Sequence, residues 1–100
     1  MAEFIKAAKT SEVPQGGGKA VDVGGQKVAL FNVGGSFHAI SDTCAHRGGP
    51  LSQGDLEGST ITCPLHGWSF DVATGAATHQ AASVKSYPVK VEGDDILIEA

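Results

Sequence analysis

Short apolar segments separated by glycines recur along most of the chain, at intervals of roughly 8 to 12 residues. Alternation is clearest at Lys19–Val23, where Val21 and Val23 share one face and Asp22 takes the other. Apart from a short turn at Thr10–Val13, no long 3.6-residue period is present, so helices of ordinary length are not expected. The pattern predicts an all-β protein, either a sandwich or a barrel.

The individual strands follow from this alternation and from the turn residues between them. Paired glycines at Gly24-Gly25 and Gly34-Gly35 predict hairpin turns. The segment Ala76–Ser83 is small and polar and is expected to be a loop. The predicted strands are Glu3–Ala8, Lys19–Val23, Gln26–Val33, Ser36–Ser41, Asp55–Cys63, Trp68–Val72, a strand with Tyr87, Val89 and Val91 on one face, and Ile96–Glu99.

Residues 43–70 interrupt this meander and are expected to form a small tip. The strands before and after them predict a base built from residues 1–42 and 71–100, with the tip inserted between the two parts. A chain of 100 residues suits one domain. We therefore predict a single domain, residues 1–100, with one inserted subdomain.

Composition narrows the class of protein and its location. A hydrophobic content of 41% and a charged content of 18% are typical of a globular protein. The net charge of −4 and the pI near 5.4 argue against nucleic-acid binding. The N-terminal residues lack the apolar core of a secretion signal, and no apolar run approaches the 18 or so residues that span a bilayer. We expect a cytoplasmic monomer without a membrane anchor.

Both cysteines of the chain lie in the predicted tip, each followed closely by a histidine. His46 comes two residues after Cys44, and His66 comes three residues after Cys63. Each pair lies on its own loop bounded by glycine and proline. Thiolate and imidazole are ligands of transition metals, so these four residues predict a metal site.

Three interpretations of the four residues are open at this point. An incidental arrangement is rare, because two tight Cys–His pairs seldom occur by chance in so short a chain. Structural zinc accepts two cysteines and two histidines, but zinc loops more often pair like residues with like. In a Rieske 2Fe–2S centre two histidines replace two cysteines on one iron. Mixed pairs favour this centre, since each loop then gives its Cys to one iron and its His to the other.

The motif C-x-H followed by C-x₂-H resembles that of the Rieske family. The resemblance extends over Cys63–Asp71, Thr74-Gly75 and Tyr87-Pro88-Val89. It implies the Rieske fold, in which an antiparallel, sandwich-like or barrel-like base carries a small inserted cluster-binding subdomain.

The same resemblance implies one cofactor, a Rieske-type 2Fe–2S cluster, and assigns its ligands. Cys44 and Cys63 would bind the inner iron. His46 and His66 would bind the outer iron through their Nδ1 atoms, with their outer edges at the protein surface.

Comparison within the family separates its subtypes. Respiratory and photosynthetic Rieske proteins are similar, but they have a disulfide-forming cysteine on each loop where this chain has Gly49 and Leu65. They also have a serine and a tyrosine where this chain has Trp68 and Phe70. Fewer hydroxyl donors stabilise the reduced cluster less, so we expect a reduction potential near the low end of the Rieske range, about −150 mV.

Terminal oxygenase subunits share the motif but add a catalytic domain with a mononuclear iron, for which 100 residues are too few. The chain resembles the ferredoxin components of bacterial aromatic-ring-hydroxylating dioxygenase systems. The resemblance implies a soluble one-electron carrier, not an enzyme by itself, between an NAD(P)H-dependent flavin reductase and a terminal oxygenase. A small subunit of a nitrite reductase, a monooxygenase component, and a zinc or redox-sensing binding module stay open as alternatives.

Two further features of the sequence bear on this interpretation. Residues 58–70 contain no charged side chain, which suits brief docking of a redox tip. Relatives commonly carry a Gly-Pro pair in a third loop near the cluster, whereas this chain has Thr78–Ala81. The position of His79 relative to the cluster is therefore left open, and His38 is expected to be a structural or surface residue.

Overall fold

A computed structural model describes residues 4–43, 50–64, 67–78 and 82–99 of the chain. Within these ranges the regular structure is almost entirely β, as predicted. Two short 3-10 helices are present there, Thr10–Glu12 and Leu51–Gln53. The strands are β1 (Phe4–Lys9), β2 (Gly18–Val23), β3 (Gln26–Val33), β4 (Ser36–Ser41), β5 (Asp55–Glu57), β6 (Thr60–Thr62), β7 (Ser69–Asp71), β8 (Ser86–Tyr87), β9 (Val89–Glu92) and β10 (Asp95–Glu99).

The described strands form three antiparallel sheets. The first sheet has the order β1-β10-β9 and so joins the two ends of the chain. The second has the order β2-β3-β4-β8, a meander completed by a strand from much later in the sequence. The third has the order β5-β6-β7. In the sequence, its strands come between the two parts of the predicted base.

Strand β3 lies between two hydrophobic clusters and connects them. Its residues Val28–Asn32 are all buried, so an apolar run replaces the usual alternation. Leu30 packs in one cluster with Ile96 of the first sheet. Phe31 points to the other face and packs with Ile61 of the third sheet. The third sheet, which carries the second predicted ligand loop, is thus held against a strand that is fixed from both sides.

The predicted hairpins between β2, β3 and β4 are present. Gly24 and Gly25 have φ angles of 58° and 84°, and Val23 pairs with Gln26 across them. Positive φ at both central residues suits the two-residue turn that follows the twist of the strands. The glycine pair at 34–35 makes the equivalent turn between β3 and β4.

The prediction of one strand over Asp55–Cys63 is wrong, because this segment folds back on itself as a hairpin. Strands β5 and β6 pair antiparallel around Gly58, which has a φ angle of 59°. A glycine in the middle of the segment supplies the left-handed turn that an uninterrupted strand would not need. Ile61 of β6 is fully buried.

The predicted strand carrying Tyr87, Val89 and Val91 is divided at Pro88. Strand β8 pairs with β4 in the second sheet, whereas β9 pairs with β10 in the first. Proline lacks the N–H that a continuous ladder needs, so the chain changes sheets at this residue. Val91 is 45% exposed in β9, which is an edge strand of the first sheet.

The division into a base, residues 1–42 and 71–100, and a tip, residues 43–70, stays a prediction. The third sheet ends at Asp71, next to the predicted boundary. Its buried side chains pack in the same cluster as Phe31 and Ile40 of the second sheet.

Candidate metal centre

Of the four predicted ligands, Cys63 lies within the described residues. Cys44, His46 and His66 lie outside them, and so does His79. The described residues at the ends of each predicted loop show how the fold positions these segments.

The first predicted ligand loop begins and ends at one point of the fold. Thr43 and Pro50 form an isolated antiparallel bridge. Leu51 donates its N–H to the main-chain oxygen of Asp42 at 2.8 Å. Ser52 donates its N–H to the Asp42 Oδ1 atom at 2.7 Å. These contacts fix the distance between the two ends of the loop.

The second loop is closed by the hairpin of β6 and β7. Thr62 pairs with Ser69, and their hydroxyl oxygens lie 3.1 Å apart. Beyond this pair, Cys63 donates its N–H to the main-chain oxygen of Trp68 at 2.7 Å. Gly67 has a φ angle of 74°, a conformation that favours glycine.

A third segment joins the second loop at its base. Phe70 of β7 forms a bridge with Ala77. Thr78 donates its N–H to the main-chain oxygen of Ser69 at 2.9 Å, and Ala77 donates to that of Ala82, also at 2.9 Å. The ends of the predicted third loop therefore lie beside β7, as expected if this loop neighbours the metal site.

The bases of the first and second loops pack closely together. A Cβ atom at Gly54 would overlap the main-chain oxygen of Thr62. Leu51, directly after the first loop, and Cys63, at the start of the second, belong to one cluster of buried side chains. The fold thus brings together the bases of the two loops that hold the predicted Cys–His pairs.

Cys63 lies in surroundings that suit a metal ligand. Its exposed fraction is 2%, and its cluster contains Ile61 and Phe70, with Trp68 packed against it. Apolar burial opposes ionisation of a thiol, whereas a bound metal stabilises the thiolate. An apolar shell also controls water access and hence the properties of a bound metal. The residue therefore fits an iron–sulfur cluster, which it would hold through Sγ.

Asp42 was not predicted as part of the site. Its side chain is only 6% exposed, and its carboxylate accepts the N–H of Ser52 across the first loop. Aspartate preceding a short helix is a usual capping signal. Here the helix begins only after an eight-residue loop, beyond the two or three residues that local capping patterns cover.

Comparison with known proteins identifies the family. The model of the Rieske [2Fe-2S] domain matches residues 3–88 of the chain. The chain belongs to the Rieske [2Fe-2S] domain family. It is 39% identical over 99 residues to the ferredoxin component of the naphthalene 1,2-dioxygenase system of Pseudomonas aeruginosa, covering 97% of this chain and 95% of that protein.

Two further relatives of this Rieske protein are informative. The 3-phenylpropionate/cinnamic acid dioxygenase ferredoxin subunit of Escherichia coli strain K12 is 44% identical over 98 residues, covering 95% of this chain and 92% of that one. A solved complex of reduced oxygenase and oxidized ferredoxin in carbazole 1,9a-dioxygenase contains a chain with a TM-score of 0.86 and 32% identity, covering 94% of this chain and 99% of that one.

The predicted resemblance and cofactor are thereby confirmed. A Rieske domain indicates one Rieske-type 2Fe–2S cluster. Like the relatives that are named as ferredoxin components, this Rieske protein transfers electrons and is not itself catalytic. Within the described residues, no helix has the length and apolar character needed to cross a bilayer.

Proposed function

We propose that this Rieske protein carries single electrons from a flavin-containing, NAD(P)H-dependent reductase to the terminal oxygenase of an aromatic-ring-hydroxylating dioxygenase system. The observation that carries this proposal is its similarity to two such ferredoxin components over 92% or more of their length. The ferredoxin-like chain found in complex with an oxygenase supports the second partner. When bound, the cluster accepts and releases one electron.

The proposed ligands are Cys44 and Cys63 on the inner iron and His46 and His66 on the outer iron. The buried Cys63 and the closed bases of both loops support this set. Two histidines in place of two cysteines on the outer iron would raise the potential above that of an all-cysteine cluster.

We propose a potential of about −150 mV, at the low end of the Rieske range. Trp68 and Phe70 bring no hydroxyl group to the site, and Phe70 is fully buried in the apolar cluster. The hydroxyl of Ser69, between them, is hydrogen-bonded to that of Thr62. A low potential suits a carrier that is reduced by a flavin and reoxidised by an oxygenase.

Docking to both partners is proposed to occur at the tip. Residues 50–54, 58–64 and 67–70, which flank or form the ligand loops, carry no charge. The exposed side chains among them therefore leave few charged groups to be desolvated, which suits transient redox interfaces, typically below about 1,200 Å². A monomeric carrier in the cytoplasm fits this role.

A reconstituted electron-transfer chain tests the proposal. The cluster-loaded protein is combined with the reductase and oxygenase of a related dioxygenase system, and NADH-dependent ring hydroxylation is measured. We expect product formation to depend on this protein and to be lost in Cys63→Ser, which removes a ligand, but kept in His38→Ala, a change on strand β4. A cluster-containing protein that neither accepts electrons from the reductase nor reduces the oxygenase would contradict the proposed function.

A further inference from the structure

Asp42 places a carboxylate inside the fold at the entrance of the first ligand loop. Its exposed fraction is 6%, and neither ion pair in the described part of the chain involves it. Burying a carboxylate is unfavourable unless hydrogen bonds compensate for the lost water. The contacts that Asp42 makes therefore account for its presence at this position.

Two of those contacts lead to the far end of the loop. Ser52 donates its N–H to Asp42 Oδ1 at 2.7 Å, a charge-assisted bond. Leu51 donates its N–H to the main-chain oxygen of Asp42 at 2.8 Å. These are the first two N–H groups of the second 3-10 helix, whose own N-cap residue, Pro50, makes no side-chain cap bond. Asp42 thus caps this helix from across the loop.

Asp42 is itself attached to the central strand of the fold. Its N–H donates to the main-chain oxygen of Lys27 in β3 at 3.1 Å. The next residue, Thr43, donates its N–H to the hydroxyl of Ser41 in β4 at 3.3 Å. Through Asp42, both ends of the loop are therefore connected to the second sheet.

We propose that Asp42 is a positioning residue for the cluster. By accepting the N–H of Ser52, its carboxylate fixes the two ends of the loop 43–50 and thereby places Cys44 and His46. Cys44 is two residues away, and two residues span at most about 7 Å. A displacement of Asp42 after loss of its carboxylate bond would therefore also displace Cys44, which is only two residues away. The inference rests on the proposed ligand set.

Asp71 offers a matched control. Its Oδ1 atom accepts the N–H of Ala73 at 2.8 Å, and its main-chain oxygen accepts the N–H of Gly75 at 2.7 Å. Like Asp42, it closes a turn through both carboxylate and main chain. Its turn lies outside both ligand loops, so we expect Asp71→Ala to remove a bond of similar length, at a more exposed position, without affecting the placement of the cluster.

The test compares Asp42→Ala, Asp42→Asn and Asp71→Ala in the full chain. Two quantities are measured: the rate at which a ferrous chelator removes iron from the reduced protein, and the EPR spectrum of the reduced cluster. We expect iron release to be about tenfold faster in Asp42→Ala, with altered g-values, because the loop ends are no longer tied. Asp42→Asn should stay within about threefold of wild type, since its amide oxygen accepts the same bond. Asp71→Ala should leave both quantities unchanged.

Equal effects of Asp42→Ala and Asp71→Ala, or an Asp42→Asn protein as labile as Asp42→Ala, would overturn the inference. If circular dichroism shows that Asp42→Ala does not fold, Asp42→Glu takes its place, because it keeps the charge but displaces the acceptor. Iron release faster in Asp42→Glu than in Asp42→Asn supports positioning, and the reverse order contradicts it. A wild-type protein without a Rieske EPR signal would instead contradict the proposed function, before any variant is compared.

Discussion

Replacing an imidazole ligand by a thiolate adds a negative charge to a Rieske centre. We therefore expect His46→Cys to lower the reduction potential from about −150 mV toward the value of about −400 mV typical of plant-type ferredoxins. A redox titration followed by visible circular dichroism measures this shift. His38→Cys, at a half-buried position on β4 opposite Phe31, is the control. An unchanged potential in His46→Cys would show that His46 is not a ligand.

At the scale of single residues, the sequence could predict what is encoded locally. The short spacings from Cys44 to His46 and from Cys63 to His66 were enough to predict a Rieske cluster. The family match confirms this cofactor. The role of Asp42 could not be predicted, because its partner Ser52 is ten residues away across the loop. Such a contact becomes visible only when the fold has brought the two ends together.

The packing of the two loop bases gives a prediction at the scale of secondary-structure elements. A Cβ atom added at Gly54 would overlap the main-chain oxygen of Thr62, and β6 cannot move away because β5 and β7 hold it on both sides. We expect Gly54→Ala to lower the free energy of unfolding by about 1–3 kcal/mol and to speed iron release. Urea unfolding and chelator assays measure the two effects.

The control for this prediction is Gly34→Ala, in the β3–β4 turn. Its Cβ would meet open space, but its φ angle of 59° makes the change cost about 1–2 kcal/mol. A similar loss of stability at this turn, which lies outside both loop bases, should leave iron release unchanged. Equal iron release from the two variants would contradict the close packing of the loop bases as a determinant of cluster retention.

Tyr87 links β8 to the start of β3, since its O–H donates to the Gln26 Oε1 atom at 2.6 Å. Burial raises the pKa of Tyr87 above its usual value of 10.0. Its contribution to stability is therefore complete below about pH 10, where the unfolded chain is still protonated, and is lost as pH rises through the folded pKa. We expect Tyr87→Phe to be less stable by about 0.5–1.5 kcal/mol at pH 7, with a smaller difference above pH 10.

Urea unfolding at several pH values measures this difference. Tyr87 is the single tyrosine of the chain, so tyrosinate absorbance reports its ionisation directly. A stability difference that does not change with pH would contradict the assignment, as would an ordinary tyrosine titration.

Secondary-structure elements were predicted correctly where paired glycines mark a turn. They were predicted wrongly where a single glycine or proline could belong either to a strand or to a break between two strands. The Gly24-Gly25 hairpin was predictable because both residues need positive φ. Gly58 lies within the segment predicted as one strand, and the pairing of β5 with β6 turns that segment into a hairpin. Pro88 was recognised as part of a motif, but the sequence could not show that the strands on its two sides join different sheets.

At the scale of the whole molecule, the fold is held by contacts that are far apart in sequence. Strand β1 pairs with β10, and β4 pairs with β8. Strand β3 contributes one face to each hydrophobic cluster. Hydrophobic periodicity predicts the all-β class, but not which strands pair, because pairing depends on long-range complementarity. The family resemblance supplied the architecture that periodicity left open.

The proposed electron transfer requires a Rieske cluster bound by two cysteines and two histidines, and EPR spectroscopy detects such a cluster. The protein is purified without oxygen, reduced with dithionite and examined by EPR, with iron, sulfide and zinc determined on the same sample. We predict a brown protein with two irons per chain and the low-average-g signal of a mixed cysteine–histidine centre. A colourless protein that contains zinc and gives no such signal would contradict the presence of a Rieske cluster.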